Sequence, residues 1–145
     1  MFYIIQRKDL GLQKKLMEFD PKINWIPIQN MTTEQVKQLL CDSKVYIDFG
    51  NHPGKDRFPR EAAMCGCCVI TGRKGSARND KDVNIDNSYK IEDNEKNIPI
   101  IINKIHECLD NYDKCHKDYE NYINKIKGEQ KQFEDDIKNI FIINK

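Results

Sequence analysis

The sequence predicts an α/β fold around a parallel sheet of about five strands, with long helices at the C-terminal end. Three observations predict it. Short β-rich apolar runs alternate with stretches of helical apolar spacing through the first two-thirds of the chain. Cys67–Thr71 is apolar without interruption, as a strand buried on both faces is. The 145 residues, 39% hydrophobic and 32% charged, suffice for one core but not for two ordinary domains.

Each element has its own signal. Phe2-Tyr3-Ile4-Ile5 is a first strand. Leu10, Leu12, Leu16, Met17 and Phe19 then follow at helical spacing until Asp20-Pro21 stops the helix. Ile23–Ile28 alternates as a second strand. Thr32 or Thr33 caps the next helix, whose apolar face is Val36, Leu39 and Leu40. Lys44–Phe49 is a third strand ending at Gly50. Pro59 marks the start of a short helix through Glu61-Ala62-Ala63-Met64-Cys65, which Gly66 closes. Cys67–Thr71 is the fourth strand, and Tyr89-Lys90-Ile91 is expected to be a fifth. From Ile98 an apolar repeat near 3.5 runs through Ile102, Ile105, Leu109, Tyr112, Tyr119, Ile123 and Ile126. It predicts one long helix or two collinear ones, with a break near Asp113–His116. Gly128 is expected to interrupt it, leaving Phe133, Ile137, Ile140 and Phe141 on a final amphipathic helix. Strands alternating with helices imply crossover connections and a sheet covered on both faces. The expectation is a Rossmann-like three-layer sandwich over residues 1–95, with helices of residues 96–145 packing on the same domain.

Composition excludes several classes. A net charge of +1 provides no basic field for a nucleic-acid backbone. No segment approaches the ~20 apolar residues of a membrane span. Met1–Lys8 has no basic stretch before its apolar run, and so does not read as a signal peptide. The expected location is cytoplasmic, and the six cysteines are expected to be reduced. Cys65, Cys67 and Cys68 sit at a helix end and in a strand, where packing explains them better than a metal. His106 and Cys108 fall about 200° apart on a helix, too far round to share one. No metal site is predicted.

In an open parallel sheet, ligands bind outside the carboxyl ends of the strands. Two loops stand there, Gly50–Arg60 and Thr71–Asn79. Four of the five arginines, Arg57, Arg60, Arg73 and Arg78, fall in or beside them, in a chain with 24 Lys plus Arg. Arginine offers a planar fork suited to phosphate and carboxylate oxygens. The start of the helix near Pro59 adds free N–H groups, and Gly72, Gly75 and Ser76 let a backbone approach a ligand closely. Together these features describe a site for a phosphate-bearing ligand. Surface arginines paired with Asp56, Asp80 and Asp82 would explain the same residues. Glu61 is expected in the first turn of its helix, where the dipole alone stabilises a carboxylate.

The run His52-Pro53-Gly54-Lys55-Asp56-Arg57-Phe58-Pro59-Arg60-Glu61-Ala62-Ala63-Met64-Cys65-Gly66-Cys67-Cys68-Val69-Ile70 resembles the nucleotide-sugar-binding segment of GT-B glycosyltransferases. The resemblance is to bacterial glycosyltransferase-like proteins of surface-polysaccharide pathways. The resemblance covers nearly the whole chain, but only the C-terminal half of a complete GT-B enzyme. It implies that Glu61 binds the donor ribose. Gly54, Arg57 and the helix start at Pro59 would face the sugar or diphosphate. Gly75, Ser76 and Ala77 would supply diphosphate amides, and Arg7 and Lys8 basic contacts. Arg57 would be a catalytic group, and His52, adjacent to Pro53, would be a second by donating to the donor, although a loop histidine before a turn explains His52 equally. Where many retaining members carry an acid eight positions before the matched Glu, this chain has Pro53.

The expected function is therefore donor binding for transfer of a sugar from a nucleoside diphosphate to an acceptor hydroxyl. Electrostatic stabilisation of the leaving diphosphate requires no metal and no cofactor. The N-terminal half that completes a GT-B cleft is the expected partner, and turnover by this half alone is not expected. Exposed C-terminal helices are expected to pair two copies. The full-length enzyme would be cytoplasmic or peripheral to the inner membrane. The alternative is a non-catalytic binding or interaction module of the same fold.

Overall fold

A computed structural model describes residues 2–6, 10–49, 57–73, 83, 85–92 and 94–143. It is a mixed α/β structure around a four-stranded parallel sheet. The elements in chain order are β1 (Phe2–Gln6), α1 (Leu10–Phe19), β2 (Trp25–Ile28), α2 (Thr33–Cys41), β3 (Ser43–Asp48), α3 (Arg57–Met64) and β4 (Cys68–Thr71). Then come α4 (Ile98–Asp110), α5 (Tyr112–Lys117) and α6 (Glu120–Ile143).

The strand order is β2-β1-β3-β4. The chain moves outward from β1 to β2, then crosses back over β1 to β3 and β4. The reversal puts α1 on one face and α2 and α3 on the other. Accordingly α1 packs on α4, and α2 packs on α3. Every residue of β3 except Lys44 is buried, as a central strand covered on both faces must be, and every residue of the edge strand β4 is buried as well. β2 is an edge strand and carries Pro27, which is tolerated there because the edge has no neighbour to bond.

The other edge, β4, is closed differently. In a parallel strand the groups of alternate residues face the same neighbour, so Val69 and Thr71 both direct their carbonyls away from β3. The Thr71 oxygen accepts from the Ile91 N–H at 2.9 Å, and the Val69 oxygen accepts from the Tyr119 hydroxyl at 2.7 Å. The expected fifth strand is thus not formed. A short 3-10 turn at Asn87–Tyr89 and one parallel bridge between Thr71 and Lys90 stand in its place. Turn geometry consumes the residues that would have lengthened the pairing.

Local signals explain the helix ends. Thr32 caps α2 in a reciprocal capping box: Gln35 N–H donates to Thr32 Oγ1 at 3.2 Å, and Thr32 N–H donates to Gln35 Oε1 at 2.9 Å. Asn30, with φ of 54°, turns the chain into that cap. Gly66 has φ of 96° and ends the α3 segment, as expected. α3 begins at Arg57 rather than at Pro59. Pro59 is its third residue, where no intrahelical N–H bond is lost.

Two expectations for the tail are corrected. The helix breaks at Asn111 and again at Asp118–Tyr119, not within Asp113–His116. Gly128 does not interrupt α6, which runs through it with open space around the glycine. Packing overrides a single weak helix former. The buried face of the tail, Ile98, Ile101, Ile102, Ile105, Cys108, Cys115, Tyr119, Tyr122 and Ile126, joins the same core as the sheet. Beyond Glu129, the described side chains of α6 are exposed.

Candidate functional site

Helices in this architecture run back against the strands they follow. The starts of α2 and α3 therefore meet at the carboxyl edge of the sheet. Between them lies a small cavity of about 90 Å³ lined by Met31, Thr33, Val36, Phe58 and Glu61. Its walls are mostly apolar, and Glu61 supplies the acidic group. The capping box sets where α2 begins, and so places Met31 and Thr33. Phe58 and Glu61 lie three residues apart on α3, which puts them on one helix face.

Glu61 occupies the second turn of α3, not the first. The helix-dipole explanation for its carboxylate therefore weakens, because that field fades within the first turn. Pro59 is buried. Arg57 opens α3. Arg7, Lys8, His52, Gly54, Gly75, Ser76 and Ala77 lie outside the described residues. The structure therefore brings Glu61 and the start of α3 together, and adds the apolar wall.

The arginine cluster is divided. Arg60 Nη1 donates to Glu129 Oε2 of α6 at 2.8 Å. Arg73 Nε donates to the Lys90 carbonyl at 3.0 Å, and Nη2 to the Asn87 carbonyl at 3.5 Å. Both guanidinium groups thus hold parts of the fold together. Arg78 lies outside the described residues.

Sequence reasoning passed over Met31, Val36 and Phe58 as ligand-wall residues. Phe58 stands inside the quoted motif, one turn before Glu61. It passed over Asp48 too, a carboxylate in an otherwise apolar strand. Asp48 is wholly buried at the carboxyl end of β3 and accepts from the Tyr46 hydroxyl at 2.7 Å. Thr71 and then Lys90 follow it across the sheet, so three buried polar residues share one face.

A larger hollow, about 350 Å³, is lined by Lys44, Leu109, Asp110, Asn111, Tyr112, Asp113 and Lys114. It lies at the amino end of β3, opposite the edge where α/β sheets bind ligands. Its two acids and two lysines balance, and Lys44 Nζ already sits 5.1 Å over the Tyr112 ring. We favour the smaller cavity because of its position.

The thiols expected to pack do so in part. Cys67, Cys68, Cys108 and Cys115 are buried. Burial pushes the Cys67 thiol up to about 12. His106 Nε2 lies 2.7 Å from Asp20 Oδ2, joining α4 to the end of α1. Among the described residues, no group of three or more His, Cys, Asp or Glu is placed to hold a metal ion. Nor, among them, is any helix long and apolar enough to cross a membrane. No protein-family model matches the chain, and comparison with curated proteins finds no match.

Proposed function

We propose that this chain is the nucleotide-sugar donor-binding half of a GT-B glycosyltransferase, with a Rossmann-like three-layer fold. The observation that carries this reading is the position of Glu61. The residue that the sequence resemblance marks for ribose binding lines a cavity at the carboxyl edge of the sheet. A nucleobase is flat and largely apolar on its faces, and it would lie against Met31, Val36 and Phe58. The adjoining ribose would direct its paired hydroxyls to Glu61, which accepts two hydrogen bonds at once. The diphosphate would then extend toward the start of α3, where the positive end of the helix dipole and Arg57 favour anionic oxygens. His52, Gly54, Gly75, Ser76, Ala77, Arg7 and Lys8 complete the proposed donor site. Sugar transfer would need a second Rossmann-like half to hold the acceptor. The proposed setting is the cytoplasm.

A second reading is a binding module without turnover. It is favoured by one specific observation: Arg60 and Arg73 are held by partners within the fold. Titration with UDP and GDP, followed by melting temperature and amide shifts, tests the donor site. At least one nucleotide should raise the midpoint of the wild-type chain. Glu61→Ala should weaken binding about tenfold or more, the loss expected for hydrogen bonds to a charged group. No response to either nucleotide, or a Glu61→Ala variant that binds like the wild type, would refute it. Binding without sugar transfer, after the partner half is supplied, would favour the module.

A further inference from the structure

We infer that Cys41 and Cys65 form an oxidant-responsive dithiol, a modification site that closes into an intrachain disulfide between α2 and α3. Cys41 is the last residue of α2 and is exposed. Cys65 follows the end of α3 and is half-buried. Their sulfurs are 3.2 Å apart, across the packed α2–α3 pair. A disulfide bond of ~2.0 Å requires an approach of only about 1 Å, within reach of side-chain rotation.

The surroundings select this pair. Cys67, the nearest competitor in sequence, is buried and directs its thiol to the Leu40 carbonyl at 3.1 Å. Cys68, Cys108 and Cys115 lie in the core and are closed to an oxidant. Burial and the neighbouring Cys41 thiol push Cys65 up to about 11, so it stays protonated at neutral pH. Cys41, the more exposed of the two sulfurs, is the point of entry.

The chemistry balances with a peroxide as oxidant. The Cys41 sulfur attacks one peroxide oxygen, forming an S–O bond as the O–O bond breaks and water leaves. The Cys65 sulfur then attacks the Cys41 sulfenic acid, its thiol proton passing to the departing hydroxyl, so the S–S bond forms as the S–O bond breaks and a second water leaves. Two thiols lose two electrons and two protons, and the peroxide takes up both. The link would join the far ends of the two helices whose starts line the cavity. The inference does not rest on what the cavity binds.

Equimolar hydrogen peroxide on the reduced full chain, followed by alkylation under denaturing conditions and mass spectrometry, tests it. Two of the six cysteines should escape alkylation, and the protein should lose two hydrogens. Fragmentation should join Cys41 to Cys65, and dithiothreitol should restore both thiols. Cys41→Ser and Cys65→Ser should each abolish the link, while Cys67→Ser should keep it. The wild-type mapping stands without any variant, so a misfolded variant does not weaken the test. Six alkylatable cysteines after oxidation, over-oxidation of Cys41 without a link, or a link to Cys67 or Cys68 would overturn the inference.

Discussion

Tyr119→Phe tests how the sheet is closed. Tyr119 is fully buried, and its hydroxyl donates to the Val69 carbonyl at 2.7 Å. That carbonyl faces away from β3, on the side where a fifth strand would have bonded it. Burial raises the Tyr119 hydroxyl well above its ordinary pKa, so it is a donor at neutral pH. Phenylalanine keeps the ring, whose centroid lies 4.9 Å from that of Tyr89, and fills almost the same volume. The substitution thus isolates one hydrogen bond and leaves a buried carbonyl without its donor. Such a loss costs about 1–3 kcal/mol. For a chain of this size that is roughly 3–10 °C in the thermal midpoint. Far-UV circular dichroism melts and urea titrations should agree on the loss, with an unchanged urea slope. A midpoint within about 1 °C of wild type would refute the argument that Tyr119 seals the β4 edge.

Further outcomes follow from the same geometry. Gly66→Ala should destabilise by about 1–2 kcal/mol, because φ of 96° is strained for alanine and its Cβ would stand 3.3 Å from the Tyr112 hydroxyl. Gly128→Ala should stabilise by about 0.5–1 kcal/mol in the same melts, since open space surrounds this mid-helix position. Thr32→Ala should cost roughly 0.5–2 kcal/mol by opening the capping box. Its effect on hydrogen exchange should concentrate in the first turn of α2. The hydrogen bond from His106, above all, lowers the Asp20 carboxyl below its ordinary 3.8. A lowered folded-state value adds stability that is present above the unfolded pKa and lost as pH falls through the folded one. The stability gap between wild type and Asp20→Asn should therefore shrink as pH drops below about 4. A gap that widens in acid would reverse the assignment.

Much of the fold was legible because its signals are local. The Thr32 box needs only residues 32–35, and Gly66 declares itself through the backbone angle only glycine adopts easily. The fifth strand misled because Tyr89-Lys90-Ile91 has strand-like residues, yet Asp86 caps a turn there by accepting from the Ser88 N–H at 2.9 Å. Gly128 misled because propensity is a weak prior in a helix held by burial upstream. At the site, Glu61 was legible from its motif. The cavity wall was not, since Met31 and Val36 belong to a different helix from Phe58 and Glu61.

The sequence alone determined the order of strands and helices, the starts and stops of several of them, and the segment that carries Glu61. Periodicity and backbone preference act within a few residues, so a linear reading captures them. Tertiary structure alone decided the β2-β1-β3-β4 order, the closure of β4 by a tyrosine 50 residues away, and the Arg60–Glu129 pair 69 residues apart. It also brought exposed Cys41 to Cys65, across 24 residues. These depend on which surfaces pack together, and burial is settled by the whole chain at once.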